Sequence, residues 1–474
     1  MKKIWIMILV SASIVIACNP KTDKEKETKT DENLSTIYGK IENNKENLIY
    51  LSYNSITDTI KTNENGEFTT KLILSQPTVV SFLSGRNQTM IYCLPKSNIK
   101  FNANATDFSN TLSFSGSEEI VNNYLAEQSK AMQNAGINSE QFLYAADYKI
   151  FLASLDKLFS TMQARFENFA KNNTEKYPEF VKLEPKRLDL LTATLILTYY
   201  TPIISSNKNI DEVEIILDNL TGSLDINNPK MLQLTEFKPF VQNFVPYLLT
   251  KDLQGKKVEF SSATEYADFY FGKIDNLFIE NTVREYVYYN FIKEFISYYG
   301  AESIVEIYSV YKDMATNKVQ LTELNKIFSE YNKLAKGQAS VNWSFPDIEG
   351  KIYSLSDFRG KYVYIDVWAA WCGPCIREIP ALESLKQKFA DKNIAIIGIS
   401  IDENRADWIN MLQTKNMQGT QLHAGGWNND LCNYFKITGI PRFILLDKQG
   451  NIINSNADRP SGNIEEVIRN LEGI

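Results

Sequence analysis

The sequence predicts a multidomain chain: a β-rich N-terminal sandwich, a mostly helical middle and a C-terminal α/β domain. Three observations carry this. The hydrophobic pattern alternates with period two over residues 36–117, recurs every three or four positions over 118–337, and switches between strand-like and helix-like runs over 341–474. At 474 residues the chain is too long for one ordinary core. A charged stretch without aromatics separates an apolar leader from the first patterned segment.

The leader reads MKKIWIMILVSASIVIAC. Lys2 and Lys3 form a basic start, and Ile4 to Ala17 is apolar apart from Ser11 and Ser13. That is short for a membrane span and suits a signal peptide over residues 1–17. Its end, Val15-Ile16-Ala17-Cys18, resembles the lipobox of bacterial lipoproteins, which implies cleavage before Cys18 and a lipid on that cysteine. Each methylene buried in a bilayer contributes roughly 0.8 kcal/mol, so the lipid is an anchor. The other reading is an ordinary secreted protein with a chance cysteine at the cleavage site. Residues 18–35 form a disordered tether; its NPKTDKEKETKTDENLS run spans roughly 20–25 Å as a flexible coil. Losing Lys2 and Lys3 takes the net charge from −7 to about −9. A mildly acidic chain with no long basic run is a poor nucleic-acid binder. Leu188 to Tyr200, the most apolar later segment, is too short to span and carries Asp189.

Residues 36–117 contain TIYGKIE, NLIYLSY, EFTTKLIL, TVVSFLS and TMIYCLP, separated by turn residues, which predicts a small antiparallel sandwich. Asn65-Gly66 is a hairpin signal, because both residues tolerate positive φ. Over 118–337, Leu152, Leu155, Phe159, Met162, Phe166 and Phe169 paint one helix face. The abundant Tyr and Phe fit either helix packing or a binding groove, and packing is the simpler expectation. No fixed-period repeat marks a solenoid.

Over 341–474, KYVYIDVWA and IAIIGISID read as buried strands, and CIREIPALESLKQKFA, RADWINMLQTK, NDLCNYFKI and NIEEVIRNLEGI as helices. RFILLDKQG with NIINSNA reads as a hairpin. Strands alternating with helices imply a sheet covered on both faces.

The chemistry concentrates in WAAWCGPC, Trp368 to Cys375. A zinc site needs four ligands. Cys372 and Cys375 supply two, but His423 and Cys432, the remaining candidates, lie far along the chain with no second CxxC, so no metal is expected. Covalent haem needs a histidine after the second cysteine, where Ile376 stands. Thiol peroxidases want a threonine three residues before the reactive cysteine, where Ala369 stands. A purely structural disulfide stays open. Electron exchange fits best, without a cofactor. Cys372 follows a strand and starts a helix, where backbone N–H groups and the helix dipole stabilise a thiolate. Cys375, one turn later, is placed to attack a mixed disulfide formed by Cys372. Gly373 permits the tight turn, Pro374 is harmless in a first helical turn, and Trp371 flanks the sulfur.

The stretch FPDIEGKIYSLSDFRGKYVYIDVWAAWCGPCIREIPALESL resembles the thioredoxin-like family of the TlpA/ResA type, and the resemblance covers roughly Val341–Ile474. It implies a thioredoxin-like fold with an N-terminal hairpin over DIEGKIYSLSDFRGK. It matches Asp366 to the family's buried aspartate, Pro380 to the helix-kinking proline, and Ile440-Pro441 to the cis-proline that docks substrate. Arg442 departs from the usual threonine after that proline. ADRPS, Ala457 to Ser461, resembles a motif of lipid-anchored Bacteroidota relatives that carry a β-rich N-terminal domain and a helical middle.

The implied function is that of a thiol-disulfide oxidoreductase, lipid-anchored in the cell envelope and facing the periplasm. Cys372 is the expected nucleophile, Cys375 the resolver, and Asp366 the group that moves a proton to or from Cys375. Glu378 is either a substrate-side acid or a solvated helix charge; Cys93 and Cys432 are ordinary buried thiols. Gly373-Pro374 is the dipeptide of reducing thioredoxins, so the expected partners are disulfides of exported proteins such as apocytochromes, and a membrane electron donor of the DsbD or CcdA kind. The rival function is a surface ligand-binding lipoprotein in which residues 36–337 capture a ligand and the redox domain is auxiliary.

Overall fold

The computed structural model describes residues 33–53, 56–136, 147–204, 211–254, 256, 260 and 262–474. The expected signal peptide, Cys18 and nearly all of the expected tether lie outside the described residues. The chain divides into two compact units. One includes Glu259–Gly272 and Tyr288–Ile474; the other is Trp5–Val258 together with Lys273–Val287.

The N-terminal strands are β1 (Leu34–Glu42), β2 (Leu48–Tyr53), β3 (Ile56–Lys61), β4 (Glu67–Ile73), β5 (Thr78–Ser84), β6 (Asn87–Cys93), β7 (Asn98–Asn104) and β8 (Ser113–Gly116). They form two four-stranded sheets, ordered β4-β1-β7-β8 and β3-β2-β5-β6. Alternation places Ile37, Ile49, Leu51, Phe82, Ile99 and Phe101 in the common core, all with 0% exposure. The sandwich differs from the expected antiparallel one in two ways. β1 and β7 run parallel. This is possible because the chain crosses into the second sheet and back between them, a route that local turn signals do not reveal. The Asn65-Gly66 turn is real, with Gly66 at φ 76°, but β3 and β4 on either side of it belong to different sheets.

The helical region begins with Glu119–Ala135, Tyr148–Asn173 and Pro178–Ile204. On Tyr148–Asn173 the buried stripe is Phe151, Leu155, Leu158, Met162, Phe166 and Phe169. The expected Leu152 and Phe159 are only half-buried. Alternating steps of three and four average about 3.5 residues and drift off a straight helix, whereas the observed steps keep the 3.6-residue period. The aromatics pack against one another: Phe151 stacks on Tyr199 with centroids 4.0 Å apart, and Tyr124 lies 4.7 Å from Phe169.

The C-terminal sheet has the order β13-β12-β11-β14-β15, with β11 Tyr362–Trp368, β12 Ile394–Ser400, β13 Gln421–His423, β14 Arg442–Leu446 and β15 Ile452–Asn454. A small hairpin, β9 (Ser344–Pro346) with β10 (Ile352–Ser354), precedes it. β11 is central and buried at every position. Its parallel neighbour is β12 and its antiparallel neighbour β14. Val363, Ile365 and Val367 enter the core that contains Trp343, Trp408 and both active-site cysteines. Tyr362 and Tyr364 enter the opposite core with Leu382, Leu385 and Phe443. This is the thioredoxin-like α/β domain the sequence implied, with a covered sheet whose central strand runs straight into the CxxC loop.

Candidate active site

β11 ends at Trp368, and Ala369 to Trp371 carry the chain to Cys372. Three contacts fix this short loop. Ile401 N donates to Trp368 O at 2.9 Å, and Cys372 N to Ala369 O at 3.0 Å. Ala370 N donates to both carboxylate oxygens of Asp402 at 3.0 Å. Asp402 is itself held, because Ser400 Oγ donates to its carboxylate at 2.7 Å and its own N–H donates to Ser400 Oγ at 3.0 Å. Sequence reasoning missed Asp402. Its one signal was an acid two residues beyond the buried strand, at the end of IAIIGISID.

Cys372 is the N-cap of the helix Gly373–Lys388, with φ −87° and ψ 96°. Its sulfur accepts from the N–H of Cys375 at 3.1 Å. That contact is the local form of thiolate stabilisation by a helix N-terminus, where unpaired N–H groups face the sulfur. The two cysteines are joined as a disulfide with Cα atoms 5.2 Å apart, and both are almost fully buried. Pro374 occupies the first turn and Pro380 lies inside the helix.

Asp366 is buried on β11, and its Oδ1 has no hydrogen-bond partner. Burial pushes its carboxyl up to about 7; Glu378 adds to this and Lys386 opposes it. A carboxyl group with that affinity exchanges protons near neutral pH. Glu378 is not the solvated helix charge that was one of its two expected roles. It is buried, accepting from Ser461 N at 3.0 Å and from Ser461 Oγ at 2.9 Å, with Arg459 Nη1 at 3.8 Å. The ADRPS segment is thus the partner of the active-site helix.

The Ile440-Pro441 bond is cis, and Ile440 packs on the core that contains Cys372 and Cys375. Arg442 turns inward, where its Nε donates to Ser455 O at 3.1 Å. Burial pulls its guanidinium down to about 10, against the opposing influence of Tyr331. Trp371 stands 61% exposed.

Among the described residues, no group of three or more His, Cys, Asp or Glu side chains is arranged to hold a metal ion. His423 packs its ring 5.1 Å from that of Trp408. Cys93 and Cys432 are buried free thiols, pushed above the ordinary thiol range by burial.

Residues 360–452 match a family model described as thioredoxin-like, and residues 35–120 match one described as a domain of unknown function, DUF4369. Thiol-disulfide oxidoreductase ResA of Bacillus cereus is 27% identical over 146 residues, which is 30% of this chain and 83% of that relative. ResA of Bacillus subtilis is 21% identical over 132 residues, 28% of this chain and 73% of the relative. A crystal structure of a candidate thiol-disulfide oxidoreductase from Bacteroides vulgatus is 42% identical, covering 29% of this chain and 96% of that one with a TM-score of 0.28.

Proposed function

We propose that this chain, which matches a thioredoxin-like family model over residues 360–452 and is similar over 146 residues to a thiol-disulfide oxidoreductase, reduces disulfides of exported proteins from a lipid anchor in the cell envelope. The observation that carries this reading is the Cys372–Cys375 disulfide at the start of a helix that follows the strand bearing buried Asp366.

In the reduced enzyme the Cys372 thiolate attacks one sulfur of a substrate disulfide. The substrate S–S bond breaks, its other sulfur leaves as a thiolate and takes up a proton, and a mixed disulfide forms. Asp366 then accepts the proton of Cys375, whose thiolate attacks Cys372 Sγ and expels the second substrate thiol. Two electrons have passed to substrate and the Cys372–Cys375 disulfide remains. A membrane dithiol donor of the DsbD or CcdA kind returns the two electrons. Trp371 borders the reacting sulfur, and Pro441 is the docking edge for the substrate chain. Apocytochromes and other secreted proteins with oxidised cysteines are the substrates this direction fits. The ligand-binding rival gains no support, since residues 35–120 match only a domain of unknown function.

Direction is a question of potential. An oxidising envelope keeps a dithiol reduced only if something supplies electrons. The CGPC motif has no histidine between its cysteines to stabilise the thiolate further, and buried Asp366 disfavours added negative charge nearby. Equilibration of the full-length protein with glutathione is therefore expected to give a potential more negative than about −200 mV. A value near that of strong oxidants, about −120 mV, reverses the assignment and makes the protein a disulfide-forming enzyme.

The anchor is tested separately. No helix among the described residues is long and apolar enough to cross a membrane; the lipid on Cys18 is proposed from the lipobox resemblance of Val15-Ile16-Ala17-Cys18. Cys18→Ser is expected to release soluble protein or to leave an uncleaved precursor in cell fractionation. A fully processed variant that stays with membranes points to a second anchor.

A further inference from the structure

We propose that Trp427 is a specificity-determining residue that, paired with Trp371, binds the apolar side chain beside the cysteine of an extended polypeptide substrate. This rests on reading Cys372 and Cys375 as the reacting dithiol.

The other tryptophans of the C-terminal domain are structural: Trp343, Trp368 and Trp408 are exposed by 1% or less. Trp371 and Trp427 are exposed by 61% and 36%, and in residues 338–474 only Ile348 and Ile352 join them as exposed large hydrophobics. The two indoles lie side by side, with ring centroids 6.3 Å apart and planes inclined by 43°. One of them belongs to the residue directly before Cys372. The rings are inclined to one another and are not closed into a parallel stack. Large exposed aromatics clustered at one place mark recognition surfaces, and tryptophan is among the side chains that dominate binding energy at interfaces.

The turn presenting Trp427 is built, since Gly425 and Gly426 hold φ values of 73° and 110° that other residues rarely adopt. The side chain of Asn429, buried beneath it, donates to Gly426 O at 2.7 Å and accepts from Cys432 N at 2.9 Å. Asn429 N also donates to Trp427 O at 3.0 Å. On the other side, Asp402 holds the backbone next to Trp371 through Ala370 N. Backbone held beneath both indoles reduces what a docking partner must order, which favours binding.

The occupant follows from the chemistry. Cys372 is only 4% exposed whereas Trp371, directly before it, is 61% exposed, so this indole is the surface a partner chain meets beside that cysteine. A polypeptide with an aliphatic or aromatic neighbour to its cysteine buries that side chain between them, and a small polar disulfide has nothing comparable to bury.

The test uses the full-length mature protein, prereduced, and two synthetic disulfide-linked peptides identical except that the residue beside the cysteine is Phe in one and Ser in the other. Stopped-flow reduction by the unmodified protein is expected to favour the Phe peptide. Trp427→Ala is expected to cut that preference by roughly ten-fold, and Trp427→Phe to keep most of it. An active Trp427→Ala variant with undiminished preference, or one that loses rate on both peptides alike, overturns the inference and leaves the oxidoreductase reading standing. Unmodified protein that reduces neither peptide nor hydroxyethyl disulfide overturns the oxidoreductase reading, and the inference with it.

Discussion

Cys372→Ser abolishes turnover, and Cys375→Ser accumulates mixed disulfides with substrate; these opposite failures are the largest effects expected. The asymmetry comes from position. Cys372 sits at the helix N-terminus with the Cys375 N–H aimed at its sulfur, so its thiolate is the stabilised one and attacks first. With Cys372 gone, no comparably placed thiol remains among the described residues: Cys375 lies buried inside the helix, Cys93 and Cys432 are buried, and burial disfavours the thiolates of those two. With Cys375 gone, attack proceeds but nothing displaces the substrate from Cys372, and the adduct persists because resolution needs a second thiolate. Non-reducing electrophoresis of both variants from cells separates the cases. Equal adduct yields from the two would reverse or void the assignment of nucleophile and resolver. The adducts trapped by Cys375→Ser also identify the substrates.

Asp366→Asn is expected to slow release of the second substrate thiol by about 10²–10⁴-fold, the usual range for loss of a general acid–base group, while making the fold more stable in alkali. Both effects have one origin. An aspartate ordinarily titrates near 3.8, and burial, aided by Glu378, pushes Asp366 up to about 7. Between about pH 4 and pH 7 the folded protein therefore holds a proton that the unfolded chain has released. Stability falls as pH rises through that window, and the full cost of the buried charge is present above it. The amide has nothing to ionise, so the variant gains stability at pH 8, up to about 4 kcal/mol, and its unfolding midpoint varies less between pH 5 and 8. Single-turnover resolution kinetics over roughly pH 6 to 8 check the first effect, and urea unfolding across the same range checks the second. Resolution as fast as that of the unmodified protein throughout that range leaves Asp366 with a structural role only.

The readable parts of this site were those written in contiguous residues. The run YVYIDVW is apolar on both of its alternating faces apart from Asp366, which marked a covered strand. The cysteine pair beyond it, with Gly373 and Pro374 between, marked a helix start. The unread parts are contacts across the chain. Asp402 meets Ala370 over 32 residues, and Ser461 meets Glu378 over 83; neither pairing leaves a local pattern. The same limit hid the parallel β1–β7 pair, since turn residues report only the next strand. On Tyr148–Asn173 the helix and four of its six buried positions were legible, but two were placed one residue late. Phe151 and Leu152, or Leu158 and Phe159, are equally apolar neighbours, and tertiary packing chose between them.

The tie between Glu378 and Ser461 also sets an order of events in the making of the protein. Synthesis runs from the N-terminus, so both cysteines and Glu378 are made well before Ser461. Until that serine arrives, the Glu378 carboxylate lacks the two donors that hold it in the fold, and an unsatisfied carboxylate resists burial. The seating of Glu378 on its helix therefore depends on a segment 83 residues further along the chain.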